Sequence, residues 1–126
     1  MKRKSISHAM RQKIYERFNG HCAYCGCEIE YKEMQIDHVL PLYRGGTYTY
    51  SNLFPACRSC NHYKSTYTVD EFREQIGEWV NRLMRDSVTF KNAVRFGQVI
   101  PTPHETVFYY EKEVNSNDRE SISQDS

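Results

Sequence analysis

Apolar positions near the start of the chain recur every four residues: Met10, Ile14 and Phe18 fall on one face of a helix, with mostly polar residues between them. The spacing predicts a helix from about Ser7 to Phe18, stopped by Asn19-Gly20 in a left-handed turn. Its stripe is assigned to the core, with no functional role for Met10 or Phe18, and His8 is placed on the surface. Residues 34–42, Met-Gln-Ile-Asp-His-Val-Leu-Pro-Leu, alternate poorly but are rich in aliphatic side chains, which predicts a strand that bends at Pro41. Gly45-Gly46 marks a turn or open loop, and Thr47 to Ser51 continues into a second short strand or loop. Asn52-Leu53-Phe54-Pro55 then leads to a short helix, from about Cys57 or Arg58 to Lys64, with Cys60 and Lys64 four residues apart on one face.

The pattern becomes helical again after Thr68-Val69-Asp70-Glu71, where threonine and glutamate form a capping box. Phe72, Ile76, Trp79, Val80 and Leu83 keep the 3.6-residue period as far as about Arg85, and Trp79 is expected to be a core anchor. A further helix runs from about Val88 to Phe96 and stops at Gly97, and Thr106 to Glu113 reads as a strand. From Val114 the chain is polar and serine-rich, the composition of a disordered tail. A length of 126 residues suits one domain. Within it, residues 1–67 carry the first helix and the core, 68–113 are a helical extension of the same domain, and 114–126 are the tail.

Cysteine usage sharpens this outline. Four of the five cysteines form two Cys-x-x-Cys knuckles, Cys22-Ala23-Tyr24-Cys25 and Cys57-Arg58-Ser59-Cys60. Two residues between cysteines let both sulfurs of a tight turn reach one ion at about 2.3 Å, so the four thiolates describe a structural, tetrahedral zinc site. Cys27 is left over, and it and His21 are bystanders beside the ligands. An odd cysteine count and metal-type spacing point to a reducing compartment rather than a disulfide framework. No apolar run approaches the roughly 20 residues that span a bilayer, and Met1-Lys2-Arg3-Lys4 leads into polar sequence, so a cytoplasmic location is expected. The net charge of +1 hides an asymmetry, with ten Lys/Arg against five Asp/Glu in residues 1–67 and seven against eleven in 68–126. Positive charge sits with the knuckles, as a polyanionic partner would favour.

A metal that closes the loop between the knuckles brings Asp37-His38 toward Asn61. On its own Asp37-His38 would be a surface pair at a strand end. Between two knuckles it is a candidate site. The string Cys22-x-x-Cys25, Asp37-His38-Val39-x-Pro41, Gly45-Gly46, Asn52-Leu53 and Cys57-x-x-Cys60-Asn61-x-x-Lys64 resembles the HNH endonucleases and covers about a third of the chain. The resemblance implies an α+β fold: a ββα-metal (HNH, His-Me finger) core stapled by the four-cysteine zinc site, with an N-terminal helix and C-terminal helices plus a short strand. It maps the family's first histidine onto His38, its middle asparagine onto Asn52, and its last His/Asn position onto Asn61, with His62 as the rival.

Phosphodiester hydrolysis needs a base to activate water and a cation to neutralise developing charge. His38 suits the first role because imidazole titrates close to neutral pH. Asp37 and the Asn61 amide oxygen are hard ligands suited to Mg²⁺, with Mn²⁺ or Ni²⁺ as alternatives. Strand alternation points Asp37 and His38 to opposite faces, so both serve only if the backbone bends there. The resemblance implies such a bend, with His38 oriented by a backbone carbonyl that the Asn52 region fixes. Arg44, Arg58 and Lys64 are candidate contacts to DNA phosphates. The resemblance leaves open a homodimer or a protein partner such as a phage packaging or restriction component. The competing reading is a zinc-ribbon module that binds nucleic acid or protein and cuts nothing, and Asp37-His38 with Asn52 and Asn61 is the feature such a ribbon has no need for.

Overall fold

The computed structural model describes residues 5–112. Its elements run in the order α1 (His8–Arg17), β1 (Gln35–His38), β2 (Leu53–Ala56), α2 (Arg58–Lys64), α3 (Val69–Asp86) and α4 (Val88–Arg95). Short 3-10 turns lie at Tyr31–Glu33, Leu42–Arg44 and Tyr50–Asn52. The described residues divide into two compact units, one running to Val69 and resuming at Val107, the other Asp70–Thr106.

In the first unit α1 begins where the Ser7 hydroxyl accepts the Met10 N–H at 3.1 Å, and it ends in the left-handed pair Asn19 (φ 54°) and Gly20 (φ 78°). Ile14 and Phe18 are buried as the stripe predicts, and Met10 is half-buried. Two polar side chains of α1 fix the chain beyond it. Arg11 donates to the carbonyls of Tyr31 and Met34, each at 2.8 Å, directly before β1. The Arg17 guanidinium lies 4.7 Å from the Tyr50 ring centroid and 4.9 Å from that of Phe54.

β1 and β2 pair antiparallel, Gln35 with Ala56, Ile36 with Pro55, Asp37 with Phe54 and His38 with Leu53. Pro55 has no N–H to give to the ladder, but its carbonyl accepts the Ala23 N–H at 2.9 Å and so ties the first knuckle to β2. The first strand is shorter than the aliphatic run suggests, because the Asn52 amide takes over where the ladder stops. Its Oδ1 accepts the Leu40 N–H at 2.8 Å, and its Nδ2 donates to the carbonyls of Leu40 at 3.1 Å and Thr47 at 2.9 Å. A side chain there does what a partner strand would do, and residues 47–51 remain a loop ending in a 3-10 turn.

The strand expected over Thr106–Glu113 is replaced by an irregular approach and a helical turn at 109–112, with Glu113 outside the described residues. Aromatic residues favour strands in general. Here the Tyr109 and Tyr110 N–H groups instead donate to the carbonyls of Tyr24 and Ala23, at 3.0 and 2.8 Å, and make the segment a strap over the first knuckle. The tail assigned to 114–126 lies outside the described residues.

In the second unit, which α3 enters after Val69, α4 is capped by the Ser87 hydroxyl, which accepts the Phe90 N–H at 3.1 Å, and is followed by Gly97 at φ 75°. Trp79 is not the core anchor its spacing suggests: it is 37% exposed, and Val80, Leu83 and Met84 beside it are exposed as well. Periodicity identifies the apolar face of a helix but not whether anything covers it. Among the described residues no helix is long and apolar enough to cross a membrane.

Candidate functional site

The two knuckles meet as the spacing predicts. The sulfurs of Cys22, Cys25, Cys57 and Cys60 lie within 4.8 Å of one another, and those of Cys25 and Cys57 are 3.8 Å apart. Ligands about 2.3 Å from a tetrahedral zinc are themselves about 3.8 Å apart, so the cluster fits that ion. Backbone N–H groups already point at the sulfurs, Tyr24 N–H to Cys22 Sγ at 3.4 Å and Cys60 N–H to Cys57 Sγ at 3.3 Å. The thiols also set one another's acidity. The hydrogen bond with Cys60 draws Cys22 down to about 4, and the same bond drives Cys60 far upward. Four sulfurs this close carry four negative charges only with a cation among them. Cys27 stays outside the group of four, its carbonyl accepting the Cys22 N–H at 2.8 Å.

A cleft of about 560 Å³ opens beside β1 and α2, and Asp37, His38, Asn61 and His62 all line it. The expected residues Asp37, His38 and Asn61 therefore line one cavity. His38 is buried at the end of β1, with its ring edge-on to Tyr48 at 4.8 Å between centroids. The backbone turns directly after it, where the Val39 N–H donates to the Asn52 carbonyl at 2.9 Å. Asp37 and His38 themselves stay in regular strand register, opposite Phe54 and Leu53, and the bend begins only at Val39. Asn52 is not on the cleft wall: its amide closes the loop from Leu40 to Thr47, which places His38 without touching the cavity.

Asp37 is held from two sides. The Tyr24 hydroxyl donates to its Oδ2 at 2.5 Å, and the Lys64 ammonium lies 3.0 Å from Oδ2 and 3.2 Å from Oδ1. The same Nζ donates to the His38 carbonyl at 3.1 Å. Burial pushes the Asp37 carboxyl up, against the opposing pull of Lys64 and Tyr24, and burial together with the Asp37 charge pushes the Tyr24 phenol well up.

Of the three candidate phosphate contacts, Arg44 and Arg58 are exposed, with an Arg44 guanidinium nitrogen 3.5 Å from the Thr66 carbonyl. Lys64 is not a phosphate contact. It is 0% exposed and its ammonium is engaged by Asp37 and the His38 carbonyl. The sequence carries a signal for this, since Lys64 lies one helical turn from Cys60, whose face must turn inward toward the metal. Nothing in the sequence marks Tyr24, because a residue between two knuckle cysteines carries no pattern of its own.

Residues 22–76 match the family model of the HNH endonucleases. YoqL of Bacillus subtilis (strain 168), named as an SPbeta prophage-derived HNH endonuclease, is 30% identical over 111 residues, covering 68% of this chain and 46% of that protein. The CRISPR-associated endonuclease Cas9 of Corynebacterium diphtheriae is 31% identical over 85 residues, 67% of this chain and 7% of that protein. Among solved structures, the Type II-C Cas9 enzyme from Actinomyces naeslundii matches with a TM-score of 0.52 and 30% identity over 60% of this chain and 9% of that one. The chain thus spans less than half of YoqL and a small part of either Cas9.

Proposed function

Through residues 22–76 the chain belongs to the HNH endonuclease family, and on that premise we propose that it is a metal-dependent endonuclease hydrolysing DNA phosphodiester bonds, with His38 as general base and a divalent cation held by Asp37 and Asn61. The observation that carries this reading is that Asp37, His38 and Asn61 line one cleft. A carboxylate oxygen and an amide oxygen are hard donors, suited to Mg²⁺ and tolerant of Mn²⁺ or Ni²⁺. Such a cation, when bound, supplies neutralisation of the charge that develops on the phosphate and on the leaving oxygen.

The chain's own residues supply the rest. The His38 imidazole accepts the proton of the attacking water, with its backbone fixed on one side by Lys64 and on the other by the Val39–Asn52 hydrogen bond. Arg44 and Arg58, both exposed, are the candidate contacts to the phosphates that flank the scissile bond. The excess of ten basic over five acidic residues in 1–67 favours approach of a polyanion.

The test is incubation of the purified, zinc-loaded protein with supercoiled plasmid in Mg²⁺, Mn²⁺, Ni²⁺ or EDTA. Conversion to nicked or linear DNA that depends on the cation is expected. Folded protein that leaves the plasmid intact under every one of these conditions would overturn the reading.

A further inference from the structure

Both groups that hold Asp37 grow out of the four-cysteine cluster. Tyr24 sits between Cys22 and Cys25, and Lys64 follows Cys60 by one turn of α2. All three side chains are buried, Tyr24 at 3% exposed, Asp37 at 4% and Lys64 at 0%. We propose that Tyr24 and Lys64 are positioning residues that orient the Asp37 carboxylate for a divalent cation, and that the four-cysteine cluster sets this orientation through them. The proposal rests on the nuclease reading and adds the part of the protein that aims its carboxylate.

Three features of the geometry support it. An ionised carboxylate offers about four acceptor directions. Tyr24 Oη and Lys64 Nζ take up three contacts on the two oxygens, at 2.5, 3.0 and 3.2 Å, and so fix the side-chain torsion. Lys64 also grips the His38 carbonyl at 3.1 Å. One ammonium therefore ties the candidate ligand to the backbone of the candidate base. Finally, a buried ion pair is a poor way to stabilise a core, because apolar replacements of equal volume commonly do as well or better. Its placement against Asp37, a residue that lines the cleft, is accounted for by orientation.

Tyr24 gives a clean way to test this, because its ring is held independently of its hydroxyl. Phe108 packs edge-on to it at 5.3 Å between centroids, Phe54 lies tilted against it at 6.1 Å, and the Tyr24 carbonyl accepts the Tyr109 N–H at 3.0 Å. Tyr24→Phe thus removes the hydrogen bond to Asp37 and keeps the ring. The full chain, zinc-loaded, is compared as wild type, Tyr24→Phe, Lys64→Met and His38→Ala. The measurements are Mn²⁺ affinity by electron paramagnetic resonance titration, the cation concentration for half-maximal plasmid cleavage, KM for DNA, zinc content and Tm.

The expected result is that Tyr24→Phe keeps its zinc and KM but binds Mn²⁺ roughly 10- to 100-fold more weakly, as loss of an outer partner of a metal ligand does, with cleavage recovering at high Mn²⁺. Lys64→Met should shift in the same direction, and His38→Ala should keep the wild-type Mn²⁺ affinity. Wild-type Mn²⁺ affinity in Tyr24→Phe would overturn the proposal, whether or not its Tm falls, and would leave Tyr24 a packing residue. If Lys64→Met does not fold, Tyr24→Phe decides alone. Wild-type protein that neither binds Mn²⁺ nor cuts would overturn the nuclease reading itself, and this proposal with it.

Discussion

Asn61 and His62 are neighbours on α2, about 100° apart around the helix, and both line the cleft. Asn61 is half-buried, whereas His62 is exposed, with its ring edge-on to Tyr63 at 5.3 Å. The more sheltered position favours Asn61 as the second cation ligand. Asn61→Ala should raise the cation concentration needed for cleavage and nearly abolish activity, and His62→Ala should be mild. Asn61→His should keep activity, with its preference moved toward Ni²⁺ or Mn²⁺, because imidazole is a softer donor than an amide oxygen. Metal titrations of plasmid cleavage check all three, and an inactive His62→Ala beside a tolerant Asn61→Ala would transfer the role to His62. At this scale the residues of the trio were legible in the sequence because motif spacing placed them, and their supports were not. Lys64 looks like a surface cation until the fold buries it beside Asp37.

Between β1 and β2, the loop from Val39 to Asn52 decides where His38 sits. Asn52 closes it with three side-chain hydrogen bonds, and Gly46 lets it close, since a Cβ at that position would lie 1.7 Å from the Leu40 carbonyl oxygen. Asn52→Ala should cost about 1–3 kcal/mol, the range expected when hydrogen bonds of about 1 kcal/mol each are lost together. Denaturant unfolding measures that cost. Gly46→Ala should lower activity more than Asn52→Ala, because backbone rather than a side chain must move, and cleavage rates of the two variants at matched folded fraction check the order. Helix ends were legible where their signals are local, as at the left-handed Asn19-Gly20 and at Gly97. The lengths of the strands were not, because Asn52 and the Tyr109–Tyr110 backbone satisfy groups distant in sequence. Trp79 is the same lesson in reverse, a periodic pattern whose outcome depends on what lies opposite.

On the scale of the whole molecule, the four-cysteine cluster joins the start and the end of the hairpin region, and through Tyr24 and Lys64 it reaches Asp37. Metal binding at such a site is folding energy. Cys57→Ser should therefore unfold the unit that carries the cleft instead of merely slowing catalysis, which circular dichroism and zinc analysis together would register. Folded, freshly purified wild-type protein without zinc would contradict it. The claim on which the rest depends is that His38 does chemistry in this cleft. Its most direct test is the rate of plasmid cleavage by wild-type and His38→Ala protein, both folded, zinc-loaded and saturated with Mn²⁺. The expected result is cation-dependent cutting by the wild type and a loss of about 10²- to 10⁴-fold in His38→Ala with Mn²⁺ affinity unchanged. Cutting by folded His38→Ala at close to the wild-type rate would contradict it.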